Sequence, residues 1–353
     1  MSDAKTHSVY LDPPGMEIEV SEDETVLEAA FRHGVMLFHG CKEGQCAACK
    51  NFLIEGDVQH RNYSTFALAD YEKEEGFVLL CRAHVFSDAE VEVLHWDEDM
   101  LESGVPIQDV TTEVAEIEEL THDLRKLTLT LVDPPEVAFN PGQYMDLGVP
   151  GTEWSRAYSM ANTPATDDRL EFIIKVLPGG KFSGLLDDEL SPGDTIEAKG
   201  PYGTFTLRKK SDSDIIFIGG GAGMAPLFSL LTSMVEEDID RRVTFYYGAR
   251  TAADLILLDE MAELEDKLPN FEFVPALSEP TDEDEQSWDG EVGLITDVVE
   301  RREDDLSEHA AYLCGPPPMI DAAMPILEGM GVDEGKIYYD KFTVSASVDE
   351  DLD

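Results

Sequence analysis

The chain has 353 residues, 42% of them hydrophobic, enough for two or three separate cores, since single cores seldom grow past roughly 250 residues. Its 25 Lys+Arg stand against 75 Asp+Glu, a formal charge of −50; a field of that sign excludes nucleic acid and anionic membranes as partners and would steer a basic protein. No stretch approaches the roughly 18 apolar residues that span a bilayer, and the first ten residues show no basic segment followed by an apolar one, so no secretory signal is expected.

The expectation is therefore a cytoplasmic protein, taken as a monomer. The acidic residues are spread along the chain, including Asp282–Glu285 and Asp349–Asp353. A solvated surface suited to a high-salt cytoplasm and a partner-docking surface both account for that spread.

In the first segment, residues 1–100, four of the five cysteines gather: Cys41, Cys46, Cys49 and Cys81. In an acidic chain expected in the cytoplasm, such clustering points to metal ligation rather than disulfides. The spacing C-x4-C-x2-C with a fourth cysteine after 31 further residues is the plant-type [2Fe–2S] arrangement, in which thiolates hold the irons. Gly40, Gly44, Ala47 and Ala48 let backbone N–H groups approach the sulfides. A structural zinc site is the competing reading, but zinc usually takes two C-x2-C hooks, and Cys81 has no partner at that spacing. The segment closes with the alternating strand Glu90–Leu94, and the polar stretch Asp97–Gln108 reads as a linker.

In the second segment, 108–210, short alternating runs follow one another: Thr112–Ile117, Leu124–Leu131, Gln143–Leu147, Ala157–Met160, Leu170–Val176, Thr195–Ala198 and Thr204–Leu207. Gly and Pro turns separate them, which predicts an antiparallel β-barrel. The strand after the turn Pro141-Gly142-Gln143-Tyr144 carries Arg156-Ala157-Tyr158-Ser159-Met160, of the form R-x-Y-S. Further on, Gly179-Gly180-Lys181-Phe182-Ser183-Gly184 joins a Gly-rich backbone to a helix start expected at Ser183, a pattern suited to an anion.

On these residues the chain resembles the ferredoxin–NADP reductase superfamily. The resemblance implies FAD, with Arg156 on its pyrophosphate, Tyr158 against the isoalloxazine ring and Ser159 donating to N5. It also assigns Lys175, Lys181, Phe182 and Ser183 to FAD. An ordinary strand arginine with a hairpin turn is the plainer alternative.

In the third segment, 211–345, apolar strands (Ile215–Ile218, Val243–Tyr247, Phe271–Val274, Ala311–Cys314, Ile337–Tyr339) alternate with helical stretches such as Ala225–Glu236 and Pro317–Met330. That alternation predicts a doubly wound parallel α/β sheet. The first strand runs into Gly219-Gly220-Gly221-Ala222-Gly223-Met224-Ala225-Pro226, where Gly219, Gly221 and Gly223 would let backbone approach a pyrophosphate at the helix start. Pro226 stands where a Rossmann dehydrogenase carries Gly or Ala, and it matches the reductase pattern instead.

The resemblance places Cys314, with Gly315 and Pro316, beside the nicotinamide C4; a buried strand cysteine is the plainer reading. It also sets Arg250 near the cofactor. Glu279, in Leu277-Ser278-Glu279, would repel a 2′-phosphate and accept from a free 2′-hydroxyl, which favours NADH. A solvated loop carboxylate is the alternative. Phe342, in Tyr339-Asp340-Lys341-Phe342, resembles the terminal aromatic that covers the flavin's exposed face. Residues 346–353 read as a disordered acidic tail.

As a whole, 1–343 resembles the NADH-dependent reductases of soluble di-iron monooxygenases, nearest to the propane-type group through Tyr63–Asp70. The resemblance implies a β-grasp ferredoxin domain ahead of the barrel and the α/β domain. It further implies electron flow from NADH through FAD and the [2Fe–2S] cluster to an oxygenase (hydroxylase) partner. A ring-hydroxylating dioxygenase is the alternative partner. Two E-x-x-H matches, Glu92/His95 and Glu119/His122, lie in or beside strand-like runs where residues three apart face opposite ways, so the chain is not read as the oxygenase itself.

Overall fold

The computed structural model describes residues 5–342 apart from Ser103 and Asp167; the tail expected at 346–353 lies outside the described residues. Three sheet-bearing parts follow one another along the chain.

The first holds β1 (Thr6–Asp12), β2 (Met16–Ser21), α1 (Val26–Arg32), β3 (Lys50–Glu55), β4 (Val58–His60), α2 (Asp70–Glu75), β5 (Phe77–Leu79), β6 (Ala83–Val85) and β7 (Ala89–Glu92). Its sheet runs β2-β1-β7-β3-β5, with β1 and β7 parallel and the other neighbours antiparallel, which is a β-grasp arrangement. Helix α1 starts where Thr25 and Glu28 cap each other, the Thr25 hydroxyl accepting from the Glu28 N–H at 3.2 Å and the Glu28 carboxylate from the Thr25 N–H at 2.8 Å. Such a box contributes about 1 kcal/mol. The helix buries Val26, Leu27, Ala29, Ala30 and Phe31 in one core with the sheet residues Val9, Leu11, Val20 and Val91.

The expected linker is not plain coil. It contains a short helix, α3 (Glu98–Glu102), and the Arg208 guanidinium reaches Asp97 at 2.9 Å. That ion pair ties the linker down.

The second part holds β8 (Gln108–Glu119), β9 (Leu124–Asp133), β10 (Tyr144–Gly148), β11 (Ser155–Ser159), β12 (Arg169–Lys175), the one-turn helix α4 (Leu185–Asp188) and β13 (Thr195–Tyr202). The strands pair in the order β11-β10-β13-β8-β9-β12, and a bridge from Met160 to Phe172 joins the two ends into a near-barrel. Alternation fills its interior with Val110, Val114, Leu127, Leu129, Met145, Leu147 and Phe172. The strand expected at Thr204–Leu207 does not form. All four residues are buried, yet they pair with no strand: the Thr206 N–H turns back to the Thr204 carbonyl at 2.9 Å, and Phe205 and Leu207 join the core of the third part.

The third part holds β14 (Asp214–Gly220), α5 (Met224–Glu236), β15 (Val243–Ala249), α6 (Leu258–Lys267), β16 (Phe271–Leu277), α7 (Asp284–Ser287), β17 (Glu291–Val292), α8 (Ile295–Arg302), β18 (His309–Gly315), α9 (Pro317–Gly329) and β19 (Ile337–Lys341). The sheet is parallel, in the order β17-β16-β15-β14-β18-β19. Strand β14 is buried on both faces, so Ile215–Ile218 is a continuous apolar run rather than an alternating one. Ile215 and Phe217 pack with α5 and α6, Ile216 and Ile218 with α8 and α9. Chain order reverses between β14 and β18, and a crevice at such a switch point is where open α/β sheets bind ligands.

Candidate functional site

The loop between α1 and β3 turns through left-handed backbone at Lys42 (φ 57°), Gly44 (φ 73°) and Ala47 (φ 62°). The turns aim N–H groups at sulfur: Cys41 N–H donates to Cys46 Sγ at 3.3 Å, and the N–H groups of Glu43 and Gln45 to Cys41 Sγ at 3.4 and 3.3 Å. Cys49 and Cys81 are buried, while Cys46 is exposed. The hydrogen bond from Cys46, joined by the Gln45 and Glu43 N–H groups against the cost of burial, pulls the Cys41 thiol down to about 5. A bond from Cys81 lowers Cys49 in the same way.

The sulfurs thus stand in two pairs, Cys41 with Cys46 and Cys49 with Cys81. Among the described residues no three His, Cys, Asp or Glu side chains are placed to hold a single metal ion. A binuclear cluster takes its ligands two to each iron, so paired thiolates under N–H donors fit [2Fe–2S].

Strand β11 carries Arg156, Tyr158 and Ser159. The Arg156 guanidinium lies 5.9 Å from the Trp154 ring centre and Lys181 Nζ 2.7 Å from it, so two cations share one indole. In a chain with three acids to each base, neither has a carboxylate partner among the described residues. Unpaired neighbouring cations suit a diphosphate. The Tyr158 ring lies 5.3 Å from the wholly buried Phe182, whose side chain belongs to the barrel core.

Ser183 is turned inward, its hydroxyl accepting from the Leu177 N–H at 3.1 Å. The helix expected to start there begins two residues later, at Leu185, because Ser183 closes the preceding turn instead of capping. Lys175 is drawn away to Asp123 at 2.9 Å.

At the C-terminal edge of the parallel sheet, Gly221 (φ 56°) opens onto free space. A Cβ at Gly223 would stand 2.1 Å from the Cys314 carbonyl oxygen, so only glycine fits there. Gly219 pairs with Cys314 across the β14–β18 ladder, and Pro226 is buried in the first turn of α5. Gly315 and Pro316 lead into α9. Glu279 is exposed and its N–H donates to the Arg250 carbonyl at 2.8 Å, while the Arg250 guanidinium lies 3.9 Å from both Asp123 and Asp254.

Barrel and α/β sheet meet at a buried point. Cys314 is wholly enclosed and burial pushes its thiol well up. Asp340 is its neighbour across the β18–β19 ladder, and Ser159 Oγ donates to Asp340 Oδ2 at 3.5 Å. Burial lifts the Asp340 carboxyl to about 6, with the Ser159 bond opposing. Phe342 is half-buried against the same core, and its N–H donates to the Gly315 carbonyl at 3.0 Å.

Three family models match in chain order: a 2Fe-2S iron–sulfur cluster binding domain over residues 9–86, an oxidoreductase FAD-binding domain over 111–207 and an oxidoreductase NAD-binding domain over 217–324. The reductase component of propane 2-monooxygenase from Gordonia sp. (strain TY-5) is 53% identical over 343 residues, 97% of this chain and 99% of the relative. The chain belongs to the family of monooxygenase reductase components.

The phenol 2-monooxygenase reductase component DmpP of Pseudomonas sp. (strain CF600) is a further relative, 37% identical over 97% of this chain and 96% of that one. Among solved structures, the Amycolatopsis cytochrome P450 reductase GcoB superposes with a TM-score of 0.82 at 33% identity, covering 96% of this chain and 99% of that one. The present reductase is accordingly an NADH-dependent flavin iron–sulfur oxidoreductase using [2Fe–2S], FAD and NADH. No helix among its described residues is long and apolar enough to cross a membrane.

Three features of this reductase have no local signal in its sequence. Trp154 carried no motif signal. Asp340 stood in a quoted motif, but its burial depends on β18 and on Ser159, far away in the chain. The contact between the cluster loop and the barrel, made by Lys42, joins residues 104 positions apart.

Proposed function

We propose that this reductase passes electrons from NADH to the oxygenase component of a multicomponent alkane monooxygenase of the propane type. Its modules are 1–100, 108–210 and 211–345, and it acts in the cytoplasm as a monomer, without nucleic acid or membrane as partners. The 53% identity over nearly the full length of a propane 2-monooxygenase reductase component supports the substrate class.

The observation that carries the site reading is the hydrogen bond from Ser159 of the barrel to Asp340 of the parallel sheet, the ladder neighbour of Cys314. The chemistry supplied by the bound groups is hydride acceptance from NADH by the flavin and one-electron transfer onto iron. Arg156 and Lys181 would hold the FAD diphosphate, with Phe182 and Ser183 shaping the turn beside it and Lys175 reaching it only on release from Asp123; Tyr158 would pack against the ring and Ser159 would donate to N5.

Gly219, Gly221, Gly223 and Pro226 admit the NADH pyrophosphate, and Arg250 and Glu279 flank its adenosine end, Glu279 taking the 2′-hydroxyl. Cys314, followed by Gly315 and Pro316, stands at the nicotinamide, Phe342 covers the flavin, and Cys41, Cys46, Cys49 and Cys81 hold the irons. Ser159 and Cys314 are both buried, a setting that would keep water from the reacting atoms of the bound groups.

The test is reconstitution with purified oxygenase components and NADH. Propane oxidation supported by a propane-type hydroxylase and not by a ring-hydroxylating dioxygenase is the expected result. Coupling to the dioxygenase alone would overturn the reading.

A further inference from the structure

The cluster loop meets the barrel at two points, the Lys42 side chain on Asp146 and the Gly40 carbonyl under the Tyr144 hydroxyl. Lys42 sits at φ 57°, a backbone region costly for a residue with a Cβ and kept only where surrounding contacts impose it. Its side chain leaves the cluster part. Nζ lies 2.5 Å from Asp146 Oδ2, 3.4 Å from the Tyr202 ring centre and 5.1 Å from that of Tyr144.

Sheet alternation builds this receptor. On β10, Met145 and Leu147 fill the barrel core, so Tyr144 and Asp146 face outward, and Tyr202 of β13 is the ladder neighbour of Tyr144. The rival cation Lys199, opposite Asp146 in the ladder, pairs with Asp109 at 3.5 Å. Asp146 is left to Lys42. Around the ammonium, the Tyr144 hydroxyl approaches the Gly40 carbonyl at 3.4 Å, and Phe31 of α1 meets Tyr202 at 5.4 Å. Tyr202 thereby completes the hydrophobic core of the cluster part. Across the β10–β11 ladder, Tyr144 stands opposite Ser159. The loop carrying Cys41 therefore rests on the strand next to β11.

We infer that the cage of Tyr144, Asp146 and Tyr202 around Lys42 is a positioning device for the internal electron step, docking the Cys41 side of the cluster one strand away from the flavin. An ammonium partly withdrawn from water between two aromatic faces and a carboxylate is held by charge and by ring quadrupole together. Lys42 and Asp146 touch no reacting atom. They set how long the cluster stays within transfer distance.

This inference rests on the reading that FAD lies against β11. The experiment is stopped-flow reduction of the intact holoprotein by NADH, with flavin and cluster absorbance followed separately, for the wild type, Asp146→Asn and Asp146→Glu. Asp146 lies on the barrel and outside both cofactor sites, so iron and flavin contents are expected to match the wild type. Flavin reduction by NADH keeps its rate, while cluster reduction slows about tenfold in Asp146→Asn, as the loss of one desolvated charge partner requires. Asp146→Glu, which keeps the carboxylate, recovers most of that rate.

Asp146→Asn with full cofactor content and a wild-type cluster phase overturns the inference. So does an Asp146→Glu protein as slow as Asp146→Asn, since a charge role would then be excluded. The flavin reading fails separately, through wild-type FAD affinity in Arg156→Ala.

Discussion

Asp340→Asn tests whether the barrel–sheet junction is built for chemistry at the expense of stability. Burial lifts the Asp340 carboxyl from 3.8 to about 6, a gap of about 2 units, and at 1.36 kcal/mol per unit the ionised form costs the fold at most about 3 kcal/mol. Asp340 is only half-buried by accessible surface, so solvent screening reduces this to about 1–2 kcal/mol. A raised carboxylate pKa means that the folded state resists ionisation. The cost is absent below the unfolded value near 4, grows as pH rises through the interval, and is complete above about 6.

The neutral isostere should therefore make the protein more stable by about 1–2 kcal/mol at pH 7.5 and by nearly nothing at pH 4. It should also slow flavin reduction by NADH, because the group that accepts from Ser159 has changed. Urea unfolding at the two pH values, followed by flavin fluorescence, measures the first effect, and stopped-flow absorbance the second. A stabilisation independent of pH, or a loss of stability at pH 7.5, would refute the argument.

Three further outcomes are expected. Cys46→Ser removes a ligand from one thiolate pair, so iron content and the visible cluster bands should disappear while NADH-dependent ferricyanide reduction persists; loss of both in folded protein would contradict separable modules. Glu279→Arg replaces a carboxylate beside the Arg250 backbone with a 2′-phosphate partner, and the NADH/NADPH ratio of kcat/KM should fall by about tenfold or more. Lys181→Ala removes one of two cations that share the Trp154 ring and should weaken FAD binding by about tenfold, measured by fluorescence titration of apoprotein, with NADH affinity unchanged.

The fold was legible where one physical cause acts locally. Ile215–Ile218 reads as a buried strand because both faces are covered by helices, and the barrel strands read by alternation because one face is core. Thr204–Leu207 alternates just as well, yet it lies between two parts of the molecule with every residue buried, so its pattern reflects two neighbours rather than one sheet. The short helix at Glu98–Glu102 escaped notice because what anchors it, Asp97 with Arg208, spans 111 positions.

The site divides along the same line. The cysteines proposed as cluster ligands are legible because three of the four share one loop, at the spacing that plant-type clusters use. The Lys42 cage and the burial of Asp340 are not, since each is made by strands distant in the chain and no local spacing encodes them. Ser183 sits in the anion motif, and its hydroxyl closes a turn by accepting from the Leu177 N–H, a contact that the motif alone does not announce.

We propose that the thiolates of Cys41, Cys46, Cys49 and Cys81 hold a binuclear iron cluster fed by a flavin on the same chain. Low-temperature EPR of protein reduced first by NADH and then by dithionite, with iron and zinc analysis of the same sample, tests it most directly. Two irons per chain and a paramagnetic reduced cluster that appears with NADH are predicted. Zinc in place of iron, or a cluster signal that dithionite elicits and NADH never does in flavin-replete protein, would contradict it.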